Sequence, residues 1–326
     1  MSFHKNILRL DCTTVCEELV ANLRQDVRQT LRRSGTVVGI SGGVDSSVVL
    51  ALCVRAFGTK RVLGVMMPEK ESSDDSIVLA RELADQLGVE TVVEDMTGAL
   101  VGFGCYFRRD QAIQRVFPEY DPSYKAKITL PGNLLESDTL NLFYLTIISP
   151  EGEERSKRLD LRDYLQIVGA SNFKQRSRMT MLYYHAELRN YVVAGTPNKN
   201  EHDQGFFVKW GDGGYDVAPI RHLYKTQVIQ LAEYLGVPAK IREATPTTDT
   251  YSAPSSQEEF FFRVPFDVMD LLWYALEHDV SVTETAQVMD LTEDQVERVF
   301  ADLIHKRRTT QYLRTLPIGY GATGNG

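Results

Sequence analysis

The sequence predicts an α/β fold, a doubly wound parallel sheet with a helical C-terminal part, and three observations carry that prediction. Short apolar runs alternate with helical stretches from Leu19 to Val93, the order that builds parallel strands with helices on both faces. A turn of small residues, Ser41-Gly42-Gly43, joins the first run to the helix after it. The same alternation returns near Arg178 after an irregular middle.

In chain order, Leu19, Leu23, Val27 and Leu31 fall on one face at four-residue spacing and predict a helix over Leu19–Leu31. Val37–Ile40 reads as the first strand, and Ser46–Phe57 as a helix stopped by Gly58. Val62–Met67 is the next strand, ended by Pro68. Ser73 with Asp74 and Asp75 opens a helix that runs to Leu87 and closes at Gly88. Glu90–Val93 is a third strand. From about 103 to about 163 the pattern breaks, with one strand-like run at Leu140–Ile148 and a turn at Pro150–Glu153. A helix around Arg178–Leu188, a strand at Tyr191–Thr196 and a helix at Lys225–Leu235 resume the core order. Ala244–Ser256 is a linker rich in Thr, Ser and Pro, and the chain is helical from about residue 257. Residues 1–326 read as a single domain with an atypical insertion at about 103–163.

The chain has 326 residues, 43% hydrophobic and 25% charged, an ordinary globular composition. A formal net charge of −8 argues against general affinity for nucleic acid and still permits a local basic patch for a phosphorylated ligand. Cys12, Cys16, Cys53 and Cys105 form no pattern of paired metal ligands, and a reduced, cytoplasmic setting is expected. The first residues open no signal peptide, and no apolar run reaches the roughly 18 residues of a membrane span, so no membrane is expected as a partner.

The densest chemistry lies in Gly39-Ile40-Ser41-Gly42-Gly43-Val44-Asp45-Ser46. A strand, a glycine turn and a helix start make a cradle for phosphate, because the free N–H groups of the helix start point at it. Asp45 adds a hard oxygen ligand suited to Mg²⁺. No Lys follows the glycines, so this is not the phosphate loop of kinases and GTPases. The Ser-Gly-Gly-x-Asp-Ser pattern resembles the pyrophosphate loop of the N-type ATP pyrophosphatases, which cut ATP between its α and β phosphates.

Later clusters extend the resemblance: Arg176-Ser177-Arg178-Met179, Gly195-Thr196 with Glu201, Lys209-Trp210-Gly211-Asp212-Gly213-Gly214-Tyr215-Asp216, Lys225-Thr226-Gln227, Pro246-Thr247-Thr248-Asp249 and His305-Lys306-Arg307. In this order they resemble the NAD⁺ synthetase family. Trp210, Gln175 and Thr250 stand where that family usually has Tyr, Ala and Leu. The resemblance implies the adenine nucleotide α-hydrolase-like, Rossmann-like fold. It implies amidation of deamido-NAD⁺ by ammonia through an acyl-adenylate, with ATP as co-substrate and Mg²⁺ as cofactor. It implies that Gly39 to Ser46, with Thr196, Lys225 and Thr247, hold ATP, and that Asp45 and Glu201 ligate the metal. Asp45, Lys225 and Glu201 are the expected catalytic residues, and Arg176, Lys209, Asp216, His305 and Lys306 the expected contacts of deamido-NAD⁺. A homodimer is implied as well. No nitrilase-like glutaminase domain precedes the loop, which points to the ammonia-dependent form, with a separate glutaminase subunit the other source of ammonia.

Two rival readings remain open at this stage. A divergent ligase of the same superfamily, acting on another carboxylate, finds support in the insertion. Val282–Arg308 resembles a DNA-binding helix-turn-helix, but its second helix opens with Glu293, Asp294 and Glu297, which sets carboxylates against phosphates.

Overall fold

The computed structural model describes residues 3–130, 132–136, 142–244, 251–253, 256–257 and 261–319. The first helix, α1, spans Cys12–Gln25. It begins earlier than the apolar spacing predicted, because Asp11 caps it: its carboxylate accepts the N–H groups of Thr13 and Thr14 at 3.1 and 3.3 Å. One π-helical stretch, Asp26–Thr30, completes it. The core then runs β1 (Thr36–Gly39), α2 (Val44–Phe57), β2 (Val62–Met66), α3 (Asp74–Leu87) and β3 (Glu90–Val93).

After α4 (Thr97–Gly102) and α5 (Cys105–Val116) come three short strands, β4 (Lys125–Thr129), β5 (Tyr144–Ile148) and β6 (Glu154–Arg158). They pair as a separate antiparallel sheet in the order β4-β5-β6. The strand read at Leu140–Ile148 begins at Tyr144, and residues 140–141 lie outside the described residues. The helix expected at Arg178–Leu188 is the last part of α6, which spans Leu161–Arg189. Its N-terminus is fixed by Asp160, whose carboxylate accepts the Asp163 N–H at 2.8 Å. The helix touches α5, the main sheet and a central cavity on different sides. It therefore has no single apolar face for periodicity to reveal.

The core resumes with β7 (Val192–Ala194), α7 (Lys199–Gln204) and α8 (Lys225–Tyr234). The remaining helices are α9 (Ala239–Arg242), α10 (Phe266–Glu277), α11 (Val282–Met289), α12 (Glu293–Thr309) and α13 (Gln311–Arg314). The two helices read as a helix-turn-helix are α11 and α12. On α12, Gln295 and Arg298 donate to the carbonyls of Leu135 and Leu134 at 2.7 and 3.0 Å.

The main sheet has the order β3-β2-β1-β7, and every pair is parallel. Its two faces follow from strict alternation. Val38, Val62, Met66, Val192 and Ala194 face a core built with α1, α2, α3 and α8. Val37, Leu63, Val65 and Val193 face the opposite way, against Leu182 and Ala186 of α6. Helices thus cover both faces, as a doubly wound sheet requires. No helix among the described residues is long and apolar enough to cross a membrane.

A buried ion network ties α5 and α6 to the segment after β2. Lys174 of α6, 1% exposed, donates to Glu69 and Glu71, each at 2.8 Å. Arg109 of α5 meets Glu71 at 2.6 Å and Asp110 at 2.7 Å. The Tyr106 hydroxyl donates to Glu69 at 2.6 Å. Removing one partner of such a cluster strands a buried charge. The Lys174→Met variant is therefore expected to lose about 3–5 kcal/mol of stability in urea or guanidinium unfolding.

Candidate active site

The chain leaves β1 toward β2 on one side and reaches β7 on the other. The loops after β1 and β7 part at this switch point, and ligands of open α/β sheets bind beyond the carboxyl ends of such strands. The loop after β1 leads into α2, and the loop after β7 leads into α7.

The loop after β1 holds itself together through its serines. The Ser46 hydroxyl donates to the Gly43 carbonyl at 3.0 Å and accepts the Ser41 N–H at 3.3 Å. The Gly43 N–H reaches the Ser41 hydroxyl at 3.3 Å. The first regular bond of α2 runs from Ser47 N–H to the Gly43 carbonyl at 3.1 Å. The N–H groups of residues 44–46 therefore have no helical carbonyl to bond. Gly42 takes φ +76°, and a Cβ there would stand 2.6 Å from the Ser76 carbonyl oxygen. Both the backbone and the space demand glycine.

Three ionisable side chains converge beside this loop. Asp45, in the first turn of α2, accepts a hydrogen bond from the ammonium of Lys225, the first residue of α8. The other Asp45 oxygen accepts from Asn198 Nδ2 at 2.9 Å. Asn198 is fully buried and caps α7: its Oδ1 accepts the Glu201 N–H at 3.0 Å, and Glu201 Oε2 accepts the Asn198 N–H at 3.2 Å. Glu201 Oε1 accepts from Gln257 at 3.4 Å. One asparagine thus locks the two carboxylates to each other.

The electrostatics of the trio are uneven. Burial pushes the Glu201 carboxyl up, the charge of Asp45 pushes it further, and Lys225 offsets only part, leaving it at about 8. Burial works against the Lys225 charge, but Asp45 and Glu201 outweigh it and hold the ammonium above its ordinary value. Two carboxylates share one cation here. Among the described residues no group of three or more His, Cys, Asp or Glu side chains could hold a metal alone. Two carboxylates are nonetheless a fitting donor set for Mg²⁺, which takes one or two from the protein and the rest from phosphate and water.

Glu201 lines a cavity of about 560 Å³, and Asp45 and Lys225 lie off its lining. Of the residues expected to hold ATP, Gly39, Ile40, Ser41, Ser46 and Thr196 line it, and Gly42, Gly43, Val44, Asp45 and Lys225 do not. Gly195 lines it too, where a Cβ would meet the Tyr215 ring at 2.4 Å. Phe143, stacked on Tyr164 with ring centroids 4.1 Å apart, adds aromatic surface. Thr247 lies outside the described residues.

The residues expected to contact the second substrate lie off the cavity lining. Arg176 is exposed and its Nε–H donates to the Lys209 carbonyl at 3.3 Å, whereas Arg178 lines the cavity. Arg178 donates to the Met67 carbonyl at 3.2 Å. Lys209 Nζ donates to the carbonyls of Tyr312 and Thr315 at 3.0 and 2.7 Å. Asp216 accepts from the Val193 N–H at 2.8 Å and the Tyr183 hydroxyl at 3.1 Å, pinning the end of β7. Lys306 is buried, pairs with Asp302 at 2.7 Å and donates to the Phe261 carbonyl at 2.6 Å, while His305 beside it is exposed. The sequence reading missed Asn198, although Asn three residues before Glu is a capping-box signal. It also missed Gln257 and Asp212, whose cavity positions no local pattern announces.

The family model described as NAD synthase matches residues 15–116 and 146–317. The chain belongs to the NAD synthase family. Residues 117–145, which include β4 and reach into β5, fall between the two matched stretches. The NH₃-dependent NAD⁺ synthetase of Mesorhizobium japonicum is 51% identical over 312 residues, covering 96% of this chain and 98% of that protein. The synthetase of the same name from Rhizobium meliloti is 47% identical, covering 97% and 94%. In fold, the chain is similar to the NH₃-dependent NAD synthetase of Campylobacter jejuni, with a TM-score of 0.62 at 21% identity, over 96% of this chain and 100% of that one.

The raised Glu201 carboxyl has a consequence for stability. The folded state keeps its proton up to about pH 8, whereas the unfolded chain releases it near the ordinary value of 4.5. Between those values the folded state binds more protons, so its stability falls as pH rises. In metal-free buffer, thermal unfolding from pH 5 to pH 8.5 should show this loss, and Glu201→Gln should flatten it.

Proposed function

We propose that this chain amidates deamido-NAD⁺ with ammonia at the expense of ATP, releasing NAD⁺, AMP and pyrophosphate through an acyl-adenylate. The observation that carries the reading is the meeting of a phosphate loop that lacks a lysine with Lys225, delivered onto Asp45 from another helix. The nicotinate carboxylate attacks the α phosphorus of ATP, and pyrophosphate leaves. The N–H groups at the start of α2 and the hydroxyls of Ser41 and Ser46 receive phosphate oxygens, and Lys225 offsets the charge that builds on the leaving group. Ammonia then attacks the activated carbonyl and displaces AMP. No protein nucleophile is needed, and the gain comes from positioning and preorganised charge.

Asp45 and Glu201 would hold Mg²⁺, which neutralises phosphate charge when bound. Burial and the charge of Asp45 make Glu201 resist ionisation, and a bound dication would favour its ionised form. Arg176, Lys209, Asp216, His305 and Lys306 would serve the part of deamido-NAD⁺ that extends beyond the cavity, and Thr247 the ATP end.

A homodimer is also proposed. Phe107 of α5, with Leu161 and Leu165 of α6, are all exposed by more than half, apolar side chains on neighbouring helices. Changing Leu165→Arg should halve the mass found by light scattering.

The second reading, another carboxylate as acceptor, is favoured by Phe143: it comes from the stretch between the matched segments and lines the cavity. One assay separates the two. Purified protein with ATP, Mg²⁺, deamido-NAD⁺ and ammonium should yield NAD⁺, AMP and pyrophosphate in equal amounts. ADP and phosphate as products would overturn the chemistry, and AMP formed only with other acids would favour the second reading. Asp45→Asn and Glu201→Gln should each lower turnover by roughly a hundredfold or more with an unchanged circular dichroism spectrum.

A further inference from the structure

The helical C-terminal part reaches the site through one buried carboxylate. Asp270, on α10, is 0% exposed. Its partners all lie on other helices. Asp270 Oδ2 accepts the Thr226 N–H at 2.8 Å and the Thr226 hydroxyl at 2.7 Å. Asp270 Oδ1 accepts from the Asn200 side-chain amide. Asn200, itself buried, relays the contact, because its Oδ1 accepts the backbone N–H of Lys225 at 3.3 Å.

The placement of these contacts is specific. Lys225 and Thr226 are the first two residues of α8, and Asn200 precedes Glu201 in α7. One carboxylate therefore meets the orphan N–H groups and positive dipole end of the helix that presents Lys225. The same carboxylate grips the helix that presents Glu201. Tyr224, the residue before α8, sends its hydroxyl to Glu277 at 2.7 Å and not to that helix end. A buried carboxylate is a costly way to join helices, and well-packed apolar side chains are often more stabilising. What it adds is direction: hydrogen bonds fix rotation and register, which apolar contact leaves looser.

We infer that Asp270 is a positioning residue, acting through Asn200 and Thr226 to hold Lys225 and Glu201 in register with Asp45. The inference rests on the function proposed above, since it assigns Asp270 to the geometry of that reaction.

The test is an exchange of chemistry between positions 270 and 200. Asp270→Asn keeps the volume but sets an amide donor against the Asn200 amide donor. Its kcat should fall roughly 10- to 100-fold, the range seen when partners behind a site ligand are removed. KM for ammonia should stay near that of the unaltered protein. In Asn200→Asp/Asp270→Asn, the new carboxylate accepts both from the new amide and from the Lys225 N–H, and most of the kcat should return. A folded Asp270→Asn protein with undiminished kcat overturns the inference. So does a double variant that regains its thermal midpoint and not its kcat, because the role is then structural alone. Should Asp270→Asn fail to fold, Asn200→Ala cuts the relay and leaves the Thr226 bonds, and undiminished kcat there also overturns the inference. ATP affinity by calorimetry reads the same geometry without turnover and should weaken several-fold in Asp270→Asn. Unaltered protein that forms no AMP with any acid overturns the proposed function, and the calorimetric comparison then still decides whether Asp270 sets the ATP site.

Discussion

The contact between Lys225 and Asp45 is the constraint around which the molecule is arranged. It joins α2, which follows the first strand, to α8, which follows the last, and so closes the switch point of the sheet from the side. Its two members are 180 residues apart in the chain. Everything between them must return to one place for the ammonium to meet the carboxylate. The parallel order β3-β2-β1-β7 performs that return, since β1 and β7 are neighbours and both aim their carboxyl ends at the site. Asn198 then fixes Glu201 to the same spot with a single side chain.

This arrangement explains how an acidic protein accommodates anionic substrates. The formal charge of −8 is a property of the whole chain, whereas ligand phosphates meet only the local field. Locally, uncharged donors lead: helix-start N–H groups and hydroxyls bind oxyanions without the repulsion or desolvation that a cluster of lysines would bring. The buried Lys225 ammonium is held in place by the Asp45 carboxylate it neutralises, so its position is defined before any substrate arrives.

Much of this was legible in the residues. The main-sheet strands lay where apolar runs stood between turn signals, because strands buried on both faces are continuous apolar runs. The loop between β1 and α2 was legible because glycines and serines between an apolar run and a helical stretch signal a tight turn. Other features were hidden for physical reasons. The first part of α6 shows no apolar stripe, since Lys174 and Ser177 are buried on it while Leu161 and Leu165 are exposed. The capping of α1 lies upstream of the apolar spacing that announces the helix. The tie between Lys209 and the carbonyls of Tyr312 and Thr315 is a backbone contact across the fold, which no side-chain pattern encodes. Resemblance supplied roles for Arg176, His305 and Lys306, and geometry alone could not have singled them out, because none lines the cavity.

Two ion clusters in the molecule use the same ingredients to opposite ends. Around Lys174, each charge has a partner: Glu71 meets both Lys174 and Arg109, Glu69 meets Lys174 and the Tyr106 hydroxyl, and Asp110 meets Arg109. Burial would raise the Glu71 carboxyl, yet Arg109 and Lys174 carry it down to about 2. Around Lys225, burial acts more strongly and two carboxylates compete for one ammonium, and Glu201 is carried up to about 8. The difference lies in depth and in direct partners: Glu71 bonds to two cations, whereas Glu201 is more deeply buried, bonds to no cation among the described residues and has the charge of Asp45 beside it. A carboxylate bonded directly to cations within the protein, as Glu71 is, has no need of a ligand, and its value lies in rigidity. A buried carboxyl that bonds to no cation is one that a bound cation can ionise, and the cost of leaving it unpaired becomes affinity for what pairs it. The pairing of Asp45 with Glu201 is therefore the feature of this fold that would suit a bound dication.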